Sequence, residues 1–208
     1  MATELMNLLQ GQFSDSMIGF LNQQIGGTES DKPKTQAAAA GIVSTLIGAL
    51  ATNAATPKGA ESLDKALERD HDGSILDDVI GMLSGNRQPA SQKALNGAGI
   101  ISHILGDRSN GAADMIGKAS GLDSGKVNNL MMILAPLVMG ALGKTKKQQG
   151  LNVSDLAGLL IRTKNEHVQE NPTMALLTRF LDRDGDGSIV DDVANIGMRM
   201  LGNFFKRK

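Results

Sequence analysis

The amino-acid sequence predicts an all-α, multihelical protein, and its composition and apolar spacing carry that prediction. Hydrophobic residues make up 41% of the 208 residues, aromatic residues make up only 2%, and Trp and Tyr are absent. The core must therefore be built mainly from Leu, Ile, Val, Met and Ala, which suit helices packed at Gly and Ala positions better than a sheet. Apolar residues also recur at helical spacing, and no segment alternates convincingly like a strand.

Individual helices follow from that spacing. Two groups of apolar residues predict buried helix faces, namely Ile42, Leu46, Ala49, Leu50 and Ile100, Ile101, Ile104, Leu105. The longest apolar run, 130–143, carries Pro136 at its centre and predicts a buried, kinked helix. It is shorter than the roughly 20 residues that cross a bilayer, so we expect no transmembrane segment. Residues 26–36 and 145–149 are expected to be solvated, flexible stretches.

A near-repeat predicts two divergent tandem copies. The segments LERDHDGSILDDV (67–79) and LDRDGDGSIVDDV (181–193) differ at three aligned positions. The first repeat is expected to cover residues 1–85 with an acidic loop at 68–78. The second is expected to cover 86–208 with an acidic loop at 182–192, and both copies to pack together as one unit.

The second loop resembles a shortened EF-hand loop. Asp182, Asp184 and Asp186 fill positions 1, 3 and 5 of that template, a glycine makes the turn at position 6, and Ser188 offers its backbone carbonyl at position 7. Alternate side chains of a chain that turns around a cation point inward, and Ca²⁺ prefers carboxylate and carbonyl oxygens. Position 12 is Val193 instead of Glu, so the closing carboxylate must come from a preceding residue, and the candidates are Asp191 and Asp192.

The first loop repeats this ligand pattern with a longer first side chain. Its candidate ligands are Glu68, Asp70, Asp72 and Ser74, closed by Asp77 or Asp78. A metal-free acidic turn is the alternative in both loops, because Ser followed three residues later by Asp also resembles a helix-capping box. Capping does not explain three alternate carboxylates, which repel by about 1 kcal/mol at 4 Å in water. We therefore expect one or two Ca²⁺ ions.

The expected function is a non-enzymatic, calcium-binding structural or interaction module. No nucleophile elbow or histidine metal pair occurs, and the three histidines stand in separate contexts. Two alternatives stay open: a Ca²⁺-responsive regulator that exposes Met-rich helices to a protein partner, and an enzyme whose site is invisible in the sequence.

The net charge and the terminal segments give expectations about binding partners and cellular location. The formal net charge of −1 and the lack of an extended basic stripe argue against a nucleic-acid partner. A protein partner or self-association is compatible with the sequence. The tail 197–208 is expected to form a terminal core helix, with contact to a membrane surface as the less favoured alternative. No secretory signal is seen, so the default location is cytoplasmic and an extracytoplasmic one stays open.

Three stretches resemble a known family. They are GAGII (97–101) leading to Gly106, SGLD (120–123) and LAPLVMGAL (134–142). Together with the acidic loops, they are similar to the YidB-like bacterial proteins, a family classed as a domain of unknown function. The resemblance implies a multihelical bacterial protein and supplies no activity.

Overall fold

The computed structural model describes residues 14–71, 73–76 and 96–170, and these residues confirm the all-α prediction because they contain no strand. Two short 3₁₀ turns, Glu29–Asp31 and Gly106–Arg108, connect α-helices, and residues 74–76 form one further helical turn. The α-helices are α1 (Asp15–Gln24), α2 (Lys32–Ala54), α3 (Pro57–Arg69), α4 (Gly97–Leu105), α5 (Ser109–Ser120), α6 (Ser124–Gln149) and α7 (Val153–Glu170).

Helices α2 and α6 form the centre of the bundle. Among the helices that the structure describes, α2 contacts each of the other six, and α6 contacts α2, α3, α4 and α5. Leu, Ile, Val, Met and Ala from both predicted repeats join in a single buried cluster, as the composition led us to expect. The fully buried large side chains include Leu46 of α2 and Leu134 of α6.

Both central helices are long and apolar enough to cross a membrane by length and composition alone. The spans are Glu29–Ala54 and Ser124–Gln149, and in each the apolar 18-residue window is mostly buried inside the bundle, by 72% and 67% respectively. The expectation of no transmembrane segment considered only the run at 130–143 and overlooked α2, whose residues 37–54 carry no charge. Burial of this kind is also what the core helices of a water-soluble bundle show.

Helix α6 confirms the buried helix predicted at 130–143 and extends it at both ends. Pro136 lies inside the helix, and because proline has no N–H, the carbonyl of Met132 lacks its usual helical donor. A Cβ on Gly97 would overlap that same carbonyl oxygen, so only glycine allows α4 to begin there. The prediction that residues 145–149 form a flexible stretch was wrong, because they form the last turn of α6, which ends at Gly150 in a left-handed conformation.

Helix starts are set by local polar residues. The side chains of Ser14, Thr56, Asn96 and Asp123 accept hydrogen bonds from backbone N–H groups in the first turns of α1, α3, α4 and α6. Each cap satisfies donors that the helix itself cannot pair. The caps explain why these helices begin where they do.

Candidate functional site

The first acidic loop begins inside a helix. Glu68 lies in the last turn of α3, and Asp70 is its C-cap residue, whose N–H donates to the carbonyl of Ala66. The residue predicted as the first metal ligand is therefore helical, and its side chain is 64% exposed.

Gly73 makes the turn that follows. Its φ of +99° lies in a region that L side chains rarely adopt, and a Cβ there would lie 2.7 Å from Cβ of Lys144 on α6. The N–H of Leu76 then donates to the carbonyl of Gly73 at 3.1 Å. Glycine is thus required both by the turn and by the close approach of α6.

Ile75 and Leu76 dock this loop on the centre of the bundle. They are 3% and 4% exposed, and a Cβ on Gly140 of α6 would overlap the Cγ2 atom of Ile75. The loop therefore packs directly on the α6 backbone at Gly140, where any side chain would push it away.

Lys146 supplies the positive charge at this junction. Its Nζ lies 2.7 Å from Oε1 of Glu68, to which it donates a hydrogen bond, and 2.8 Å from Oδ1 of Asp64. The Asp64 contact is an ion pair without good hydrogen-bond geometry, since Oδ1 is buried and has no aligned donor in the part of the chain that the structure describes. Desolvation lowers the pKa of Lys146, but its contacts with Asp64 and Glu68 outweigh that cost and raise the pKa overall.

His71 is a buried polar residue of the first loop. It is 6% exposed, and its Nδ1 has no hydrogen-bond partner among the described residues. Burial lowers the pKa of His71 below its ordinary 6.5, against the opposing negative charge of Asp70. The imidazole is therefore held neutral at physiological pH.

The predicted ligands are only partly described. Glu68 is engaged by Lys146, Asp70 is half-buried, and the exposed Ser74 begins the short helical turn. Within 14–71, 73–76 and 96–170, no group of three or more His, Cys, Asp or Glu residues is placed to hold a metal ion. The other predicted ligands lie outside the described residues: Asp72, Asp77, Asp78, Asp182, Asp184, Asp186, Ser188, Asp191 and Asp192.

Sequence reasoning missed Asp64 and Lys146. Asp64 and Glu68 are four residues apart, a spacing that places two side chains on one face of a helix and could have flagged the pair. Nothing local to Lys146 indicates that its partners lie 82 and 78 residues earlier in the chain.

A second acidic turn lies at the other end of α6. The Asp31 carboxylate accepts hydrogen bonds from the N–H and hydroxyl of Thr28, each at 3.1 Å, and from Lys34 at 3.2 Å. Lys126 lies 3.6 Å from the same carboxylate and donates to the Gly26 carbonyl at 3.4 Å. The hydrogen bond from the Thr28 N–H, followed by the contacts to Lys34 and Lys126, lowers the pKa of Asp31 to about 2.

The comparison with known families confirms the resemblance stated above. The family model described as a bacterial protein of unknown function (DUF937) matches residues 7–145. This range includes the first acidic loop and ends before the second. No curated protein and no solved structure matches significantly.

Proposed function

We propose a function for a chain that belongs to the DUF937 family of bacterial proteins of unknown function: it is a non-enzymatic helical structural or interaction module whose second acidic loop binds Ca²⁺. The observation that carries the proposal is the docking of the first loop, through Gly73 and Ile75, on Gly140 and Lys144 of α6. An acidic loop in this protein thus joins a peripheral helix to the core.

The second loop is expected to join a helix to the core in the same way, because its sequence is a near-copy of the first loop. It keeps the glycine, serine and isoleucine that turn and dock the first loop, as Gly187, Ser188 and Ile189. Its three aspartates at alternate positions repel one another, and a hard divalent cation removes that repulsion. Ca²⁺ would then stabilise the folded conformation of the second loop.

Buried polar groups in the described core favour a structural role. Thr45, Thr145 and Thr163 donate to the carbonyls four residues earlier in their own helices. Asn22 accepts a hydrogen bond from Thr35 and donates one to the Thr28 carbonyl. These groups pair with backbone carbonyls and with one another, as structural polar groups in a helical core do.

The second candidate is the Ca²⁺-responsive regulator. Met139 is buried beside Gly140, where the first loop covers α6, and Met131 is also buried. In this candidate, release of the docked loop uncovers α6 at Gly140 and makes Met-rich helix surface available to a protein partner. An apolar dye separates the candidates, because its binding rises with Ca²⁺ for the regulator and stays unchanged for the structural module.

Thermal unfolding tests the calcium proposal. At free Ca²⁺ one hundredfold above the dissociation constant, one site should stabilise the fold by about 2.7 kcal/mol and raise the melting temperature by about 5–10 °C. The double variant Asp184→Ala with Asp186→Ala should lose this gain. A matched control, Asp107→Ala with Asp114→Ala, removes two exposed aspartates elsewhere and should keep it. Equal melting temperatures in Ca²⁺ and in chelator would refute the proposal.

A further inference from the structure

We propose that Lys146 is a built-in counter-cation of the first acidic loop, so that this loop closes without a metal ion and the chain binds a single Ca²⁺, in the second loop. The inference rests on the proposed function for the second loop. It assigns the two loops different chemistry in spite of their similar sequences.

The position of the Lys146 ammonium supports this assignment. Its side chain is 12% exposed and contacts two carboxylates that lie one turn apart on α3. One of them, Glu68, is the residue that would have to be the first Ca²⁺ ligand. A Ca²⁺ ion bound by Glu68 would leave the half-buried Lys146 ammonium with Asp64 alone and would place two positive charges next to each other.

The packing of the same helix end holds Lys146 in place. Gly73 of the loop lies against the Lys144 backbone and Cβ, two residues before Lys146, and Ile75 lies on Gly140. The last turns of α6 therefore provide both the apolar contact and the positive charge. The backbone at Lys146 is therefore held within reach of Glu68 by the docked loop.

The sequence of the second copy lacks this arrangement. In the alignment of the two copies, Asp64 corresponds to Thr178 and Glu68 to Asp182. Buried His71, at position 4 of the first loop, corresponds to Gly185. The second copy thus has the shorter ligand at position 1, no bulky residue at position 4, and no acid at the position of Asp64, one of the two carboxylates that contact Lys146.

Calorimetric titration of Ca²⁺ into the full chain tests the inference. The wild type should bind one ion, and Asp184→Ala with Asp186→Ala should abolish binding, whereas Glu68→Gln should leave the affinity within about twofold. Lys146→Met should bind a second Ca²⁺ ion more weakly, and the additional change Glu68→Gln should remove this second site. Lys147→Met, an exposed neighbour with the same charge change, should still bind one ion.

The failures of the two proposals are distinguishable. Two ions in the wild type, or one ion that is lost with Glu68→Gln, would overturn the role of Lys146 and leave calcium binding intact. No ion in the wild type would overturn the calcium function, and the gain of a Glu68-dependent site in Lys146→Met would still decide the lysine's role. If Lys146→Met does not fold, the single variant Glu68→Gln decides the role of Lys146. Loss of Ca²⁺ binding in that variant contradicts the inference, and unchanged Ca²⁺ binding supports it.

Discussion

The two ends of α6 each hold an acidic turn with a lysine, but they do so by different means. At the N-terminal end, the Asp31 turn is closed mainly by its own neighbours, Thr28 and Lys34, and Lys126 adds a longer contact of 3.6 Å. At the C-terminal end, Lys146 brings together Asp64 and Glu68 on α3 from a distant part of the chain. The first turn is encoded locally, and the second depends on tertiary packing.

This difference shows why acidity alone does not define a metal site. Hydrogen bonds from the backbone and from threonine stabilise the charge of Asp31, while an ammonium stabilises Asp64 and Glu68. In both turns, groups of the chain itself compensate the negative charge of the carboxylates. Disturbing the tertiary end of α6 should therefore cost more stability than disturbing the local end.

The largest expected effect comes from separating the first loop from α6. Gly140→Val would force a branched side chain into the space of Ile75, and we expect the free energy of unfolding to fall by about 3 kcal/mol. Denaturant unfolding followed by far-UV circular dichroism measures this in a chain without Trp or Tyr. Gly158→Val on α7, where a Cβ meets only the Arg162 guanidinium at 4.0 Å, should be nearly neutral. Equal losses would show that the loop is not docked at Gly140.

A smaller loss of stability is expected when either lysine is replaced by methionine. Lys146→Met leaves the Asp64 carboxylate, whose side chain is 14% exposed, without its counter-charge and should cost about 1–2 kcal/mol. Lys126→Met removes a 31% exposed partner from a turn that has other hydrogen bonds and should cost less than about 1 kcal/mol. The same denaturant measurement compares them, and a larger loss for Lys126→Met would reverse the proposed order.

The buried histidine gives the C-terminal end a pH dependence. Because the folded pKa of His71 lies below 6.5, the unfolded chain binds the proton more readily, and stability should fall as pH drops below 6.5. His71→Gln should flatten the stability profile between pH 7 and the lowered folded pKa. His103→Gln, at an exposed histidine, serves as the control and should keep the wild-type slope. A wild-type slope in His71→Gln would place the titration elsewhere.

The smallest effect is expected at the Asp31 turn, in a different pH range. Its folded pKa of about 2 lies below the ordinary 3.8, so its contribution is fully present above pH 3.8 and is lost as pH falls toward 2. Asp31→Asn should reduce stability at neutral pH and remove this part of the acid dependence. Unfolding titrations from pH 5 to 2 measure it, and identical profiles for wild type and variant would contradict the assignment.

Features that depend on residues close together in the chain were predicted from the sequence more successfully than features that depend on distant residues. The buried helix at 130–143, the turn at Gly73 and the all-α class follow from spacing, glycine chemistry and composition within short windows. The central place of α2 was missed because its apolar residues were taken as one helix face, whereas the helix is buried around most of its circumference. The calcium ligands and the relation between the two repeats stay predictions.

Capping side chains, glycine conformations and 3.6-residue periodicity act within a few residues, so they indicate from the sequence where helices form and where an acidic chain can turn, although not every helix end. Only the tertiary structure decided that Lys146 meets Asp64 and Glu68 and that Ile75 rests on Gly140, since these partners lie 65 to 82 residues apart. Their meeting depends on how the helices pack around α2 and α6. The contact between Lys146 and the first acidic loop therefore depends on the helix packing and not on the loop sequence.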